Sequence, residues 1–112
     1  MMKLTIDRSR WLRGETAEKS YLCRPRDKKM CCLGFLALQC GYTLEDITDS
    51  ETPLLANGNN KFPDSIVEGD EHTEVCCALM RINDDGKLKE YERESKLKTL
   101  FKQADILVEF IN

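Results

Sequence analysis

Two adjacent cysteines, Cys31 and Cys32, follow a pair of lysines at the expected start of an apolar helix. A helix N-terminus and nearby cations both stabilise a thiolate, which is the nucleophilic form of cysteine. The base would be His72, the one histidine in the chain, oriented by Asn83 or Asp84. A cysteine-dependent hydrolase or transferase is therefore one hypothesis. The favoured alternative is that the thiols are small core side chains and that His72 is solvated within an acidic run.

Metal binding is the second chemistry to consider, because the chain contains six cysteines, namely Cys23, Cys31, Cys32, Cys40, Cys76 and Cys77. Zinc ligands usually come in pairs separated by a few residues, so that both sulfurs converge, whereas adjacent cysteines on a helix diverge by about 100°. Neither a calcium-binding loop nor a glycine-rich phosphate-binding pattern is present. We expect no metal and no cofactor, and we expect reduced thiols rather than a disulfide framework.

Charge is unevenly distributed along the chain. Residues 1–30 contain nine Lys or Arg against four Asp or Glu, although the whole chain has a net charge of -3. A sequence pI near 5.2 argues against general DNA binding. The asymmetry can instead steer a charged partner. The alternative is that these cations pair with acidic segments of the same fold.

The residues that we predict to bind a partner lie in this basic segment and in a later polar loop. They are Arg8, Arg10, Arg13, Arg24, Arg26, Lys28, Asn57, Asn59 and Asn60. Because arginine forks match phosphate oxygens, the same arginines could instead form a nucleotide pocket, which would make the protein a nucleotide-binding sponge.

Hydrophobic periodicity predicts one compact α+β domain over residues 1–112. Strands at 3–6 and 106–111 alternate polar and apolar residues and could pair as a small terminal sheet. Helices are predicted at 30–40, 71–82 and 89–103, and the proline- and asparagine-containing stretch 48–65 is predicted to be a mobile loop. We expect no transmembrane segment and no secretory signal, hence a cytoplasmic protein.

Several residues carry more specific structural predictions. Trp11 is expected to anchor the core, and the cysteines are expected to form a thiol-lined contact between the two buried helices. Gly34 lies in the interior of the first helix, where glycine is unfavourable, so another backbone should pack closely there. Thr43 precedes Asp46 by three residues, which is typical of a capping box at the start of a helical turn.

The chain also resembles a family of small uncharacterised proteins of tailed bacteriophages. The resemblance lies in Lys29-Met30-Cys31-Cys32-Leu33-Gly34-Phe35, Met80-Arg81-Ile82-Asn83-Asp84-Asp85, Glu92-Arg93-Glu94, Leu100-Phe101 and Val108-Glu109-Phe110, and in the N-terminal Arg8-Ser9-Arg10-Trp11-Leu12-Arg13-Gly14. It implies a viral origin and a location in the host bacterial cytoplasm.

Small accessory phage proteins often bind and inhibit host proteins, including those of defence systems. The leading prediction is therefore a non-enzymatic protein that binds a host protein, with the oligomeric state left open.

Overall fold

The computed structural model describes residues 2–14, 21–49, 61–67 and 75–112. The fold is α+β, as predicted. Its elements are β1 (Met2–Asp7), a 3₁₀ turn (Arg8–Arg10), α1 (Cys32–Gln39), α2 (Leu44–Ile47), α3 (Asp64–Val67), α4 (Val75–Asp84), α5 (Glu90–Gln103) and β2 (Ile106–Ile111).

The two terminal strands pair with each other, and they do so in parallel, with Met2 opposite Ile106 and Asp7 opposite Ile111. Alternate residues of β1 and β2 point into the core, where Leu4, Ile6 and Ile106 are fully buried. Period-2 alternation fixes which residues face inward, but it is the same for parallel and antiparallel pairs. The strands were therefore predictable and their relative direction was not.

The helices form a continuous series of contacts that begins at β1 and ends at β2. Both α1 and α5 lie against the strands, and α4 bridges α1 and α5. The Sγ atom of Cys32 lies 4.0 Å from the Leu79 carbonyl oxygen of α4, which confirms that a thiol takes part in the α1–α4 contact. Trp11 is buried, as expected of a core anchor.

Several element boundaries differ from prediction: β1 spans Met2–Asp7 rather than 3–6, α1 spans Cys32–Gln39 rather than 30–40, and α5 begins at Glu90 rather than at 89. The second buried helix continues to Asp84, beyond the predicted end at 82, and residues 71–74 lie outside the described part of the chain. The short helix α3 begins inside the predicted loop 48–65, because Ile66 reaches the core and Ser65 Oγ donates a hydrogen bond to the Ala104 carbonyl at 3.0 Å. Residues 50–60 of that loop lie outside the described residues.

Local capping follows the sequence at α2. The Thr43 hydroxyl accepts a hydrogen bond from the Asp46 backbone N–H at 3.1 Å, and the Asp46 carboxylate accepts one from the Thr43 N–H at 2.8 Å. The predicted capping box is therefore confirmed.

Gly34 is required by a close approach of the chain to α1. A Cβ atom added at this position would lie 1.9 Å from the Leu22 carbonyl oxygen and 2.8 Å from the Met30 Cβ. No rotation of a side chain can relieve a collision with backbone. The predicted close packing at Gly34 is confirmed, and the backbone involved is the segment that leads into residues 24–29.

One buried amide joins three segments of the fold. Asn83 has no exposed surface. Its Oδ1 accepts from Trp11 Nε1 at 2.8 Å and from the Cys32 backbone N–H at 3.0 Å, while its Nδ2 donates to the Leu12 carbonyl at 2.9 Å. The backbone carbonyl of Asn83 accepts a hydrogen bond from the Gly14 N–H at 2.9 Å.

The bond to Cys32 replaces a local helix cap. Cys31 occupies the N-cap position of α1 but makes no side-chain cap. The first N–H groups of a helix have no partner within the helix, and a side-chain oxygen normally accepts from one of them. Here the Asn83 amide supplies that oxygen from another helix.

We expect Gly34→Ala to lower the free energy of unfolding by at least about 2 kcal/mol, because the new methyl group meets backbone that must move. Gly86→Ala makes the same chemical change at an exposed turn and should cost no more than about 0.5 kcal/mol. Urea unfolding followed by the fluorescence of the single tryptophan measures both. Equal stabilities of the two variants would contradict the close packing at Gly34.

We expect Asn83→Leu to lower the free energy of unfolding by about 3 to 5 kcal/mol, because it leaves the Trp11 indole N–H, the Cys32 N–H and the Leu12 carbonyl buried without partners. Gln103→Leu replaces an exposed amide and serves as the control, with an expected change within about 0.5 kcal/mol. The same denaturation experiment compares them, and a loss below about 1 kcal/mol for Asn83→Leu would show that the amide does not join these segments.

Candidate partner-binding surface

Two of the predicted partner-binding arginines are held by carboxylates of α5. Arg8 donates to both oxygens of Glu94 from Nε and Nη2, at 2.9 and 2.8 Å. Arg13 makes the same two-pronged contact with Glu90, at 2.8 and 2.9 Å from Nε and Nη2, and its guanidinium carbon lies 4.5 Å from the centroid of the Trp11 ring. These pairs attach the N-terminal segment to α5.

The pairing shifts the pKa values of the paired groups. The hydrogen bond from Arg13 lowers the pKa of the Glu90 carboxyl, and the hydrogen bond to Glu94 raises the pKa of Arg8. Part of the charge asymmetry along the sequence is thus used within the fold, which was the alternative interpretation of the basic segment.

The third internal pair shapes residues 24–29, which we call the basic loop. The Arg24 side chain is nearly buried and donates to Asp27 from Nε at 3.0 Å and from Nη2 at 2.6 Å. The Asp27 carboxylate also accepts from the Lys29 backbone N–H at 3.1 Å. The Asp27 carboxylate therefore forms hydrogen bonds with residues at both ends of the turn, Arg24 and Lys29.

Backbone hydrogen bonds close the same turn. The Arg24 N–H donates to the Lys29 carbonyl and the Lys28 N–H donates to the Arg24 carbonyl, both at 2.8 Å. Lys28 adopts a φ of 60°, a left-handed conformation that is uncommon outside glycine and that surrounding structure must hold in place. The basic loop is consequently a braced turn rather than a flexible one.

The cations that this bracing leaves on the surface are Arg10, Lys28 and Lys29. All three are exposed, and within the described residues no ion pair involves them. The Met30 N–H donates to the Arg10 carbonyl at 3.0 Å, so the backbone of Arg10 runs beside the end of the basic loop. Arg26, also a predicted contact, is exposed at the tip of this loop. Asn57, Asn59 and Asn60 lie outside the described residues.

The thiols do not have the environment that a nucleophile needs. Cys31 and Cys32 are both fully buried. Burial raises the pKa of the Cys32 thiol well above its ordinary value, and Cys31 and Asp84 raise it further. The cost of burying a thiolate outweighs the expected help from the helix N-terminus. His72, the base in the enzyme hypothesis, lies outside the described residues.

The nucleotide hypothesis used five arginines, and three of them are paired within the fold. The forks of Arg8, Arg13 and Arg24, which would bind phosphate, are already filled by carboxylates. Within the described ranges, no three His, Cys, Asp or Glu side chains converge as metal ligands do.

Sequence reasoning missed two buried polar residues. Asn83 lies beyond the predicted helix end at residue 82, yet it continues the stripe of Cys76 and Leu79 on the buried face of α4. Arg93 lies within the predicted helix 89–103 and is buried there with Leu97 and Phe101, which follow it at intervals of four residues. The helical spacing was present in the sequence in both cases.

Arg93 holds the turn between α4 and α5. Its Nη2 donates to the carbonyl oxygens of Asp85 and Leu88, in the turn between α4 and α5. A buried guanidinium therefore ties down the connection that brings Glu90 to Arg13.

Comparison with protein-family models, with curated proteins and with solved structures finds no match to this chain. None of the helices in the described residues is both long enough and apolar enough to cross a membrane.

The Arg24–Asp27 pair predicts a specific dependence of stability on pH. The hydrogen bond from Arg24 holds the pKa of the Asp27 carboxyl well below its usual value of 3.8. A carboxyl with a depressed pKa stabilises the fold above its unfolded-state pKa, and this contribution disappears as the pH falls toward the folded-state pKa. Asp27→Asn should therefore lower the melting temperature by a constant amount at pH 5 to 7 and by progressively less below about pH 4.

Glu45→Gln, which neutralises another exposed carboxylate, controls for the change in net charge. Thermal unfolding of the three proteins across this pH range provides the measurement. A difference between the wild-type protein and Asp27→Asn that stays the same down to pH 2 would contradict the pairing.

Proposed function

We propose that this protein is a non-enzymatic, phage-type binding protein that acts in the bacterial cytoplasm by docking on an acidic surface of a host protein. The observation that carries the proposal is the braced basic loop, which presents exposed cations beside Arg10. An inhibitor of a host defence component is the specific role that the resemblance to phage proteins favours.

Rigidity of the basic loop supports a role in recognition. Ordering a loop during association costs free energy, so a loop that is already ordered retains more of the interaction energy as affinity. The Arg24–Asp27 pair and the two backbone hydrogen bonds that close the turn already order this loop. Its ordering therefore costs free energy when the chain folds and not when the partner binds. The loop is thus ready to bind before a partner arrives.

Charge supports the same role. Arg10, Lys28 and Lys29 are all exposed on a chain whose total charge is -3, and the Arg10 carbonyl accepts from Met30, the residue that follows Lys29. Such exposed cations attract an acidic surface, while the acidic remainder repels misoriented approaches. The net acidity of the chain also disfavours nucleic acid as the general partner.

A non-covalent mode of action is favoured over the cysteine-enzyme alternative by burial. Cys31 and Cys32 have no solvent-exposed surface, so a substrate would have to open the core to reach either sulfur. Binding through the basic loop needs no such opening.

The test is capture of host proteins by the tagged protein and by an Arg10→Glu/Lys29→Glu variant, which leaves the left-handed residue Lys28 unchanged. We expect the variant to bind the captured host protein at least about tenfold more weakly, because two attractive contacts become repulsive. We also expect wild-type binding to weaken as salt is raised. Quantitative mass spectrometry of the captured proteins, followed by titration with the purified partner, measures both effects.

Lys87→Glu/Lys96→Glu is the matched control, because it makes the same change in net charge at exposed lysines outside the basic loop. It should bind as the wild-type protein does. Equal weakening of the two variants would show a nonspecific charge effect, and unchanged binding by both would show that the basic loop is not the docking surface. Either result would overturn the proposal.

A further inference from the structure

The sheet has an edge that no part of the described chain covers. It contains two strands, and within the described residues no third strand pairs with β2 on the side away from β1. Alternate backbone N–H and C=O groups along that edge of a strand therefore point away from the sheet. Such groups are ready to pair with another extended chain.

A groove runs along this edge. It has a volume of about 190 Å³ and is lined by Lys98 and Lys102 of α5 and by residues 106–108 of β2. The strand also presents large apolar side chains on its outer face, where Leu107 is 45% and Ile111 38% exposed. Proteins usually protect a free edge with charged side chains on the strand itself. Here β2 exposes Leu107 and Ile111 on either side of a single carboxylate, Glu109, and the lysines stand across the groove on α5.

We propose that this groove receives an extended peptide segment of a partner protein, which adds to β2 as a third strand and alternates acidic with apolar side chains. This surface is separate from the basic loop, so the proposal goes beyond the function proposed above. Main-chain hydrogen bonds supply affinity in this mode of recognition, and pockets for alternate side chains supply specificity.

The alternation follows from the two faces of the sheet. Side chains of an added strand point alternately to the inner and the outer face. Those on the inner face would stand over α5, where Lys98 and Lys102 favour carboxylates. Those on the outer face would lie beside Leu107, Glu109 and Ile111, of which the two apolar side chains favour apolar groups. The charges and exposed surface thus favour this chemical pattern for the peptide.

A peptide fits this site better than a nucleic acid. Single-stranded nucleic acids bind on aromatic side chains that stack with the bases, combined with cations that follow the phosphates. Among the described residues that line this groove, none has an aromatic side chain. An edge of free backbone groups serves a peptide and gives a nucleic acid no equivalent advantage.

The probe is a fluorescent, end-capped six-residue peptide, the length of β2, in which valine and glutamate alternate. Fluorescence anisotropy should show it binding the full-length protein, while the corresponding valine–lysine peptide should not bind. N-methylation of one alternate set of its amides should abolish binding and N-methylation of the other set should not, because only one edge of an added strand faces β2.

Variants locate the site. Lys98→Glu/Lys102→Glu should weaken binding of the valine–glutamate peptide at least about tenfold, and the equally charged Lys87→Glu/Lys96→Glu control should leave it unchanged. Circular dichroism melts confirm that both variants fold. If the first variant fails to fold, Leu107→Asp on the exposed face of β2 replaces it, with the same expected loss.

Several results would overturn the proposal. They are no binding of any peptide at millimolar concentration, equal effects of the two N-methylation patterns, and displacement of the peptide by a single-stranded oligonucleotide that binds as tightly. A dimer in solution that Leu107→Asp dissociates would show that a second copy of the chain occupies the edge instead. Failure of the basic-loop variants described above would leave this proposal intact, because the two surfaces share no residue.

Discussion

The Asn83 side chain joins three segments of the fold through buried hydrogen bonds. Its amide oxygen accepts from Trp11 and from the N-terminus of α1, and its amide nitrogen donates to Leu12. A buried amide with all of these partners is stable, but the loss of the amide would leave every partner unsatisfied in a dry core. This residue ties the N-terminal segment to both central helices, alongside the backbone bonds that Leu12 and Arg10 make with Met30. Arg10, which lies next to Trp11 in sequence and beside the basic loop in space, belongs to the segment that Asn83 holds.

Burial decides what the chemically versatile residues can do. A thiol at a helix start beside lysines has the sequence signature of an activated nucleophile, yet Cys32 is enclosed and its pKa rises. The arginines show the converse. Arg8, Arg13 and Arg24 are paired with carboxylates that lie nearby in the fold, whereas within the described residues no ion pair involves Arg10, Lys28 or Lys29. In both cases the environment that the fold provides outweighs the tendency of the isolated residue.

Features that depend on local sequence were predictable. The two terminal strands followed from alternation, α5 from helical spacing, the Thr43 cap from its partner three residues later, and the crowding at Gly34 from the cost of glycine in a helix. Features that depend on which distant segments meet were not predictable. These include the parallel direction of the strands, the burial of Asn83 and Arg93, and the pairing of Arg8 with Glu94 across most of the chain. For the candidate surface, the sequence showed where the basic segment lies, but the division of its arginines between internal pairs and exposed positions needed the fold.

The central claim is that the protein acts by binding through a basic loop that is ordered before the partner arrives. The most direct measurement is the nuclear magnetic resonance spectrum of the ¹⁵N-labelled protein, recorded alone and with the captured host protein. If the protein binds in this way, we expect the amides of residues 24–29 to be as rigid in the free protein as those of α5. We also expect binding to shift the signals of Arg10 and of this loop most strongly. A loop that is mobile until the partner binds, or shifts that centre on Cys31 and Cys32 instead, would contradict it.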